Sequence, residues 1–448
     1  MNLQNISIEN FKCFKTQTSI EFGKLTLLTG ANSSGKSSII YSILGSLQSG
    51  EFPFKFSTNG KYVNMGDFKE IVHDHNRNEK IKINFNFKND SIFNIKTTWE
   101  EDLNNNLPKL VELDASSDYF TLLATLKSKK YHVDFKYDPD KDPQNTVFTK
   151  EMYRKILSSF NDIIDNSEKD PKKIKKNTDE QLNKFLDDIS SAKDIKNLVL
   201  NDIPYLGDDT SNNGTFKLKQ IFEILSKLFS DYDDKINFIS SFRLHPERTY
   251  LEQTKSKLKV NNFGDGYLDQ IMIWEAKDKK KFNKLIKTLN KLSLLESIKS
   301  KRLEGGRFEI TIQTKKDGVR TSLSDVGFGI SQFLPIIVAD LQLPESSTLY
   351  IAQPEIHLHP SVQSSFGDYL KDQINQESKN YVIETHSEYL LNRIRLAIVK
   401  GELNEKDVKV IFIDNEDNQL HKITFNKKGQ IIKAPKNFFK TYMMDVME

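Results

Sequence analysis

Apolar and polar residues alternate at the start of the chain, where Ile6 and Ile8 flank a serine, and a second short run follows at Ser19 to Phe22. A period of two predicts strands. A third apolar run, Leu25 to Thr29, leads directly into glycine. Beyond that glycine-rich turn, Ile39, Ile40, Ile43 and Leu44 share one helical face within Ser38 to Leu47. The order is strand, loop, helix. Residues 80–98 alternate again about Asn89-Asp90, which predicts a hairpin. From 99 to 235 the character changes: Tyr153 to Ile164 and Gln181 to Ile189 carry helical spacing, separated by the polar stretch Asn166 to Asp179. These residues read as an inserted, mainly helical arm with a loose, charged middle.

Order returns with a strand at Lys235 to Ser240, a helix at Lys280 to Lys301 and a hairpin at Arg307 to Ser322 about Asp317-Gly318. A glycine-rich turn and helix (Gly327 to Leu341), a strand (Thr348 to Ala352), a helix (Ser361 to Ile374) and a strand (Tyr381 to Glu384) complete the pattern. Alternating strands and helices predict an α/β fold whose mixed sheet is substantially parallel. Three segments are expected: a head lobe over 1–98, the arm over 99–235 and a second head lobe over 236–448.

The composition adds little that is specific. With 448 residues, 37% hydrophobic and 28% charged, the chain suits a large folded domain with insertions. A net charge of +3 neither demands nor forbids nucleic acid. The single cysteine, Cys13, excludes an internal disulfide and a four-cysteine metal site, and fits a reducing cytoplasm. No secretory pattern is visible, and apolar stretches such as Phe333 to Ala339 are too short to cross a bilayer. A cytoplasmic protein with no membrane partner is expected.

The strongest chemical signal is GANSSGKS, Gly30 to Ser37, which satisfies G-x-x-x-x-G-K-[ST] between a strand and a helix. Glycine lets backbone amides approach phosphate, and the helix N-terminus adds positive potential. Lys36 can reach the β- and γ-phosphates, and the Ser37 hydroxyl can ligate Mg²⁺. A second glycine turn, SDVGFGISQFLP (Ser324 to Pro335), opens another helix and offers a second anion-binding surface. It is most useful when facing a partner's nucleotide. In P-loop proteins a later strand ends in an acidic residue that supports Mg²⁺. Here that strand runs LYIAQPEIHLHP and ends Ala352, Gln353, Pro354, Glu355. Finally, YVIETHSEYL places His386 at the end of another strand, where it can meet a γ-phosphate.

The order IENFKCF, GANSSGKSS, FRLHPERTY, DVGFGISQFLP, QPEIHLHP and ETHSEYLLNRI resembles the prokaryotic OLD/RecF/SMC-like branch of ABC-type ATPases, proteins often encoded beside nucleases in phage-defence systems. The resemblance covers about residues 1–75 and 236–448 and leaves the arm unmatched. It implies an ATPase head that sandwiches ATP between two copies. Carried over by position, Gly30, Ala31, Asn32, Ser33, Ser34, Gly35, Lys36, Ser37 and Ser38 resemble Walker A. Gly327, Gly329, Ser331 and Gln332 resemble the signature that meets the opposite subunit's γ-phosphate, with Gly327 standing where many relatives have serine. His357 to Pro360 resemble the D-loop, and His386 the switch histidine. Met65 to His73 resembles the Q-loop region without its glutamine, while Lys12 and Phe14 match positions near the base or ribose.

One departure matters most. The family usually has Asp-Glu-Pro or Glu-Gln-Pro at the strand end, and this chain has Ala352-Gln353-Pro354. A methyl group cannot support Mg²⁺ or position water, so hydrolysis is expected to be impaired while ATP binding survives. Gln353 or Glu355 is the compensating candidate. By resemblance the chain is expected to be the sensor or regulator ATPase of an antiphage complex with an effector nuclease, Septu-type subunits being one match. A non-hydrolysing scaffold and a DNA-repair clamp are the alternatives, the latter with DNA as a direct partner. Other residues admit plainer readings. Glu355, His357, His359 and His386 could form a metal site, but the phosphate-site roles explain them with less. Arg243, Glu247 and Arg248 could form a functional cluster or ordinary surface pairs. The lysine runs at Lys172 to Lys176 and Lys279 to Lys281 could touch nucleic acid or simply be solvated. Cys13 is expected to be a packed residue.

Overall fold

The computed structural model describes residues 2–88, 91–143, 194–205, 213–252, 259–414, 419–432, 434–435 and 438. The expected helices at Tyr153 to Ile164 and Gln181 to Ile189, and the charged stretch between them with Lys172 to Lys176, lie outside these residues. The described chain is organised by two large sheets.

One sheet has seven strands in the order 236–239, 348–352, 380–384, 25–30, 408–413, 420–425 and 431–432. Its first five strands are parallel to their neighbours, and the last two are antiparallel additions. Strands covered on both faces need apolar residues at successive positions. This explains why all six residues of Leu25–Gly30 and all five of Thr348–Ala352 are buried. On one face Leu28, Tyr350, Val382 and Ile411 pack against the helix Lys36–Gln48 and the second sheet. On the other, Leu27, Ile351, Ile383 and Val410 meet a layer of helices that includes Phe328–Gln342, Pro360–Glu377 and Glu388–Val399. The α/β head with a mixed sheet, expected from the sequence, is what the chain forms.

The second sheet has eight antiparallel strands in the order 18–21, 2–9, 81–88, 92–102, 107–117, 120–127, 130–137 and 195–200. The hairpin expected over 80–98 is present as Ile81–Lys88 paired with Ile92–Asp102. Over its described residues the expected helical arm at 99–235 begins as strand instead. Residues 107–137 form three further strands, and residue 98, the expected boundary, falls inside a strand. The cause is a period of two: Leu113 and Ala115, Leu122 and Ala124, Val133 and Phe135 all point into the core. Among the described residues of this region, helix is found at Asn213–Asp234, which packs beside Lys36–Gln48. The helix expected over Lys280 to Lys301 is also shorter. It spans Lys279–Lys291, Ser293 adopts a left-handed φ of 56°, and Ser297–Leu303 becomes a strand paired with Arg307–Gln313.

Trp99 joins the antiparallel sheet to the segment that follows the helix Lys36–Gln48. It is fully buried, its ring lies 5.9 Å from Phe52 and 5.6 Å from Phe56, and its indole N–H donates to Thr97 Oγ1 at 2.8 Å. No helix among the described residues is long and apolar enough to cross a membrane. Trp99→Ala should lower unfolding stability by about 3–5 kcal/mol, as removal of a large buried ring does. Denaturant unfolding followed by circular dichroism measures this, and a loss within about 1 kcal/mol would contradict the packing described.

Candidate functional site

The loop between Leu25–Gly30 and Lys36–Gln48 is shaped by close backbone approach. Gly30 has φ 137°, and a Cβ there would lie 2.2 Å from the Ile413 carbonyl oxygen. Gly35 has φ 98°, and its Cβ would lie 2.2 Å from Cys13 Sγ. Side chains are excluded at both positions, as a phosphate-cradling backbone requires. Ala31, Asn32 and Ser33 form the exposed rim, whereas Ser34 Oγ is buried without a hydrogen-bond partner. The Lys36 ammonium donates to the Gly30 and Ala31 carbonyls at 3.1 and 2.6 Å. Burial lowers its pKa, and the carboxylates of Glu384 and Glu355 oppose that shift.

Parallel register brings the ends of three strands to this loop. Glu384 pairs with Leu28 on one side and with Ala352 on the other. Ser37 Oγ donates to Glu384 Oε2 at 2.7 Å. Glu355 accepts from the His386 amide at 2.6 Å and from Thr385 Oγ1 at 2.8 Å. Burial raises the Glu355 pKa, while these hydrogen bonds and Arg243 pull it down. His386 is exposed at the mouth of the site. Partial burial holds its pKa below the usual histidine value, the Lys36 ammonium adds to that, and Glu384 opposes it. Gln353 sits at a left-handed φ of 46° and donates its amide to the Glu384 carbonyl at 2.7 Å. Such a backbone costs on the order of 1–3 kcal/mol and persists only where neighbours hold it. Ala352 presents its buried methyl at the position where an acid is expected.

Arg243 is the chief neighbour holding that strand end. Its buried guanidinium donates to the carbonyls of Ala352 at 3.0 Å, Gln353 at 2.8 Å, Gln332 at 2.9 Å and Ser240 at 2.9 Å. Burial lowers its pKa to about 10, with Glu355 opposing. Gln332 returns the contact, donating its side-chain amide to the carbonyls of Arg243 and Leu244, both at 3.3 Å. Of the second glycine turn, Gly327 is exposed and Gly329 half-buried. Ser331 is buried and donates to the Phe328 carbonyl at 3.1 Å. Ser331 and Gln332 are therefore engaged inside their own chain, and the open part of the turn is Gly327 with the half-exposed Phe328. Arg248 makes a two-pronged pair with Asp325 at 2.8 and 3.2 Å, while the Glu247 amide donates to Tyr250. Exposed pairs of this kind contribute little stability.

Other expected residues divide. Lys12 lies beside the site, its carbonyl 2.8 Å from His73 Nδ1 and its amide bonded to the Ile71 carbonyl, so it meets the segment Met65 to His73. Phe14 is buried beneath the loop with its ring against Gly35. His359 caps the helix Pro360–Glu377, its Nδ1 accepting from the Ser361 amide at 3.3 Å, and His357 lies at the exposed foot of the turn. Among the described residues, no three His, Cys, Asp or Glu side chains converge to hold a metal ion by themselves. Motif spacing does not single out Glu384 or the Arg243 clamp. A signal for the former is present, since NYVIE is an apolar strand ending in a carboxylate.

A family model described as "AAA ATPase domain" matches residues 1–391. No curated protein matches the chain by sequence. Among solved structures, the SMC head domain from Thermotoga maritima is 10% identical, with 95% of this chain and 100% of that chain covered and a TM-score of 0.37. The Smc head with an extended coiled coil bound to the C-terminal domain of ScpA from Pyrococcus furiosus is 12% identical, covering 100% and 99%, with a TM-score of 0.39. An Smc head bound to the C-winged helix domain of ScpA is 11% identical, covering 95% and 99%, with a TM-score of 0.43.

Two expectations follow from the geometry. Lys36→Met should move the His386 titration upward, because a nearby positive charge is removed, and histidine NMR measures the midpoint. An unchanged midpoint would show that the two groups do not sense each other. Arg243→Met should cost more than about 3 kcal/mol in denaturant unfolding, since several buried carbonyls lose their donor.

Proposed function

The chain belongs to the AAA ATPase domain family, and from that premise we propose that it binds ATP at Gly30 to Ser38 and closes as a dimer over two nucleotides. One observation carries this reading: the loop that satisfies the phosphate-binding pattern faces Glu384, Glu355 and His386 at the ends of neighbouring strands. Loop amides and Lys36 hold the triphosphate; Asn32 and Ser33 lie on its rim. Lys12 borders the base or ribose, and Phe14 supports the loop from below. Magnesium supplies charge neutralisation of the triphosphate when bound, with Ser37 as the ligand from this chain. The residues fit that group, because a serine hydroxyl and a buried carboxylate stand side by side.

Gly327 and Gly329 of a second copy meet the exposed side of the nucleotide, with Ser331 and Gln332 shaping the helix start behind them. ATP then acts as a bridging ligand whose differential affinity favours the closed dimer. His386 donates to the γ-phosphate and reports its presence. Glu355 and Gln353 set the backbone around it. Because Ala352 has no side-chain oxygen, turnover is slow and the closed state persists. The output passes to a partner: an effector nuclease in a Septu-type or related antiphage system, with the ATPase as sensor or regulator.

Light scattering should show a dimer that grows with ATP and Mg²⁺ and is absent in Lys36→Ala. Turnover in the unaltered chain should rise about tenfold or more in Ala352→Glu, the scale expected when a group acting in the transition state is restored. ATP-dependent dimers with no turnover in either protein point instead to a scaffold. Salt-sensitive DNA binding by the ATP-loaded protein alone points to a DNA clamp. A monomer at saturating ATP refutes the sandwich.

A further inference from the structure

We propose that Glu384 supplies the carboxylate that supports the nucleotide-bound magnesium ion, in place of the acid absent at position 352. The inference rests on the ATP-binding reading above and deepens it. Three observations converge. First, Glu384 pairs with Ala352 across the sheet, so its carboxylate stands at the same level as the position that lacks one. Second, Ser37 donates to it at 2.7 Å, across 347 residues of sequence, which places it against the one hydroxyl suited to the cation. Third, the strand Asn380–Glu384 lies directly beside the loop strand Leu25–Gly30, whereas Thr348–Ala352 is one strand further away. The carboxylate at 384 is therefore the nearer of the two positions.

The electrostatics agree. Glu384 is 6% exposed, and a carboxylate withdrawn from water needs hydrogen bonds or a positive partner. The Ser37 hydroxyl gives one hydrogen bond, and the nearby Lys36 ammonium is committed to two loop carbonyls. A divalent ion held between the triphosphate and Ser37 would complete the neutralisation. Glu384 would then orient Ser37 or a cation-bound water, in the manner of outer ligands whose removal weakens metal affinity by about 10- to 100-fold. The division of labour follows. Cation support and ATP binding survive through Glu384, while the water-directed role lost with Ala352 stays lost.

The test is the affinity of a fluorescent ATP analogue with and without Mg²⁺, in the full chain. The unaltered protein should bind more tightly with Mg²⁺. Glu384→Gln should lose that gain, read as the ratio of affinities with and without Mg²⁺, by about 10- to 100-fold. Glu384→Ala, checked for folding by circular dichroism, should behave alike and stands in if the glutamine variant does not fold. Full retention of the Mg²⁺ gain overturns the proposal. So does an equal change with and without Mg²⁺, which marks Glu384 as a counter-charge to Lys36. Absence of binding in the unaltered protein is a different outcome, since it removes the ATP-binding reading itself.

Discussion

The parallel pairing of Asn380–Glu384 between Leu25–Gly30 and Thr348–Ala352 is the constraint on which the head depends. Parallel strands in register end at one edge, so the polar residues after their apolar runs arrive together without any being close in sequence. The loop after Gly30, Glu384 with Thr385 and His386, and Gln353 with Glu355 share one small volume for this reason. The two hydrophobic cores on either face fix the sheet, and the sheet fixes the edge. Both faces are buried, so a slip of one residue would exchange the side chains of two differently shaped cores, which close packing disfavours.

Around that edge the chain retains groups that are costly to bury. Arg243 gives its guanidinium to four backbone carbonyls, and Glu355 takes an amide and a hydroxyl from the adjoining strand end. Both are satisfied within the protein. They hold Gln353 in a backbone conformation that its neighbours alone would not favour. The same clamp includes Gln332, at the start of the helix that follows the second glycine turn. The strand end after Ala352 and the helix of the second glycine turn are thus built on shared hydrogen bonds.

Much of this was legible along the chain. The loop after Leu25–Gly30 stands out because its backbone leaves no room for a side chain at Gly30 or Gly35 and its pattern carries Lys36 and Ser37. The continuous apolar runs before Gly30, Ala352 and Glu384 mark a sheet covered on both faces. What stayed hidden depends on strand order, which no local pattern encodes. Nothing near Glu384 says that its strand inserts beside the loop strand, so its meeting with Ser37 cannot be read from spacing. Arg243 looks like one member of a charged run, and its burial follows only from where the strand end folds. The strands over 107–137 do alternate, yet polar outer positions such as Asp114, Thr121 and Asp134 dilute the apolar signal. The helical-looking segments further along then dominate the impression of the whole insert. The helix at Lys279–Lys291 stops because Ser293 turns left-handed, a choice made by the strand that follows.

A last consequence comes from Gly329. A Cβ at this position would lie 2.6 Å from the His357 carbonyl oxygen, so only hydrogen fits between the helix start and the segment after Gln353. Two backbones seated that closely leave no room for a side chain between them. A side chain added at 329 would have to push the helix start away from the segment that follows Gln353. The fit is a mechanical gasket, thin enough that one added methyl group would pry the joint open.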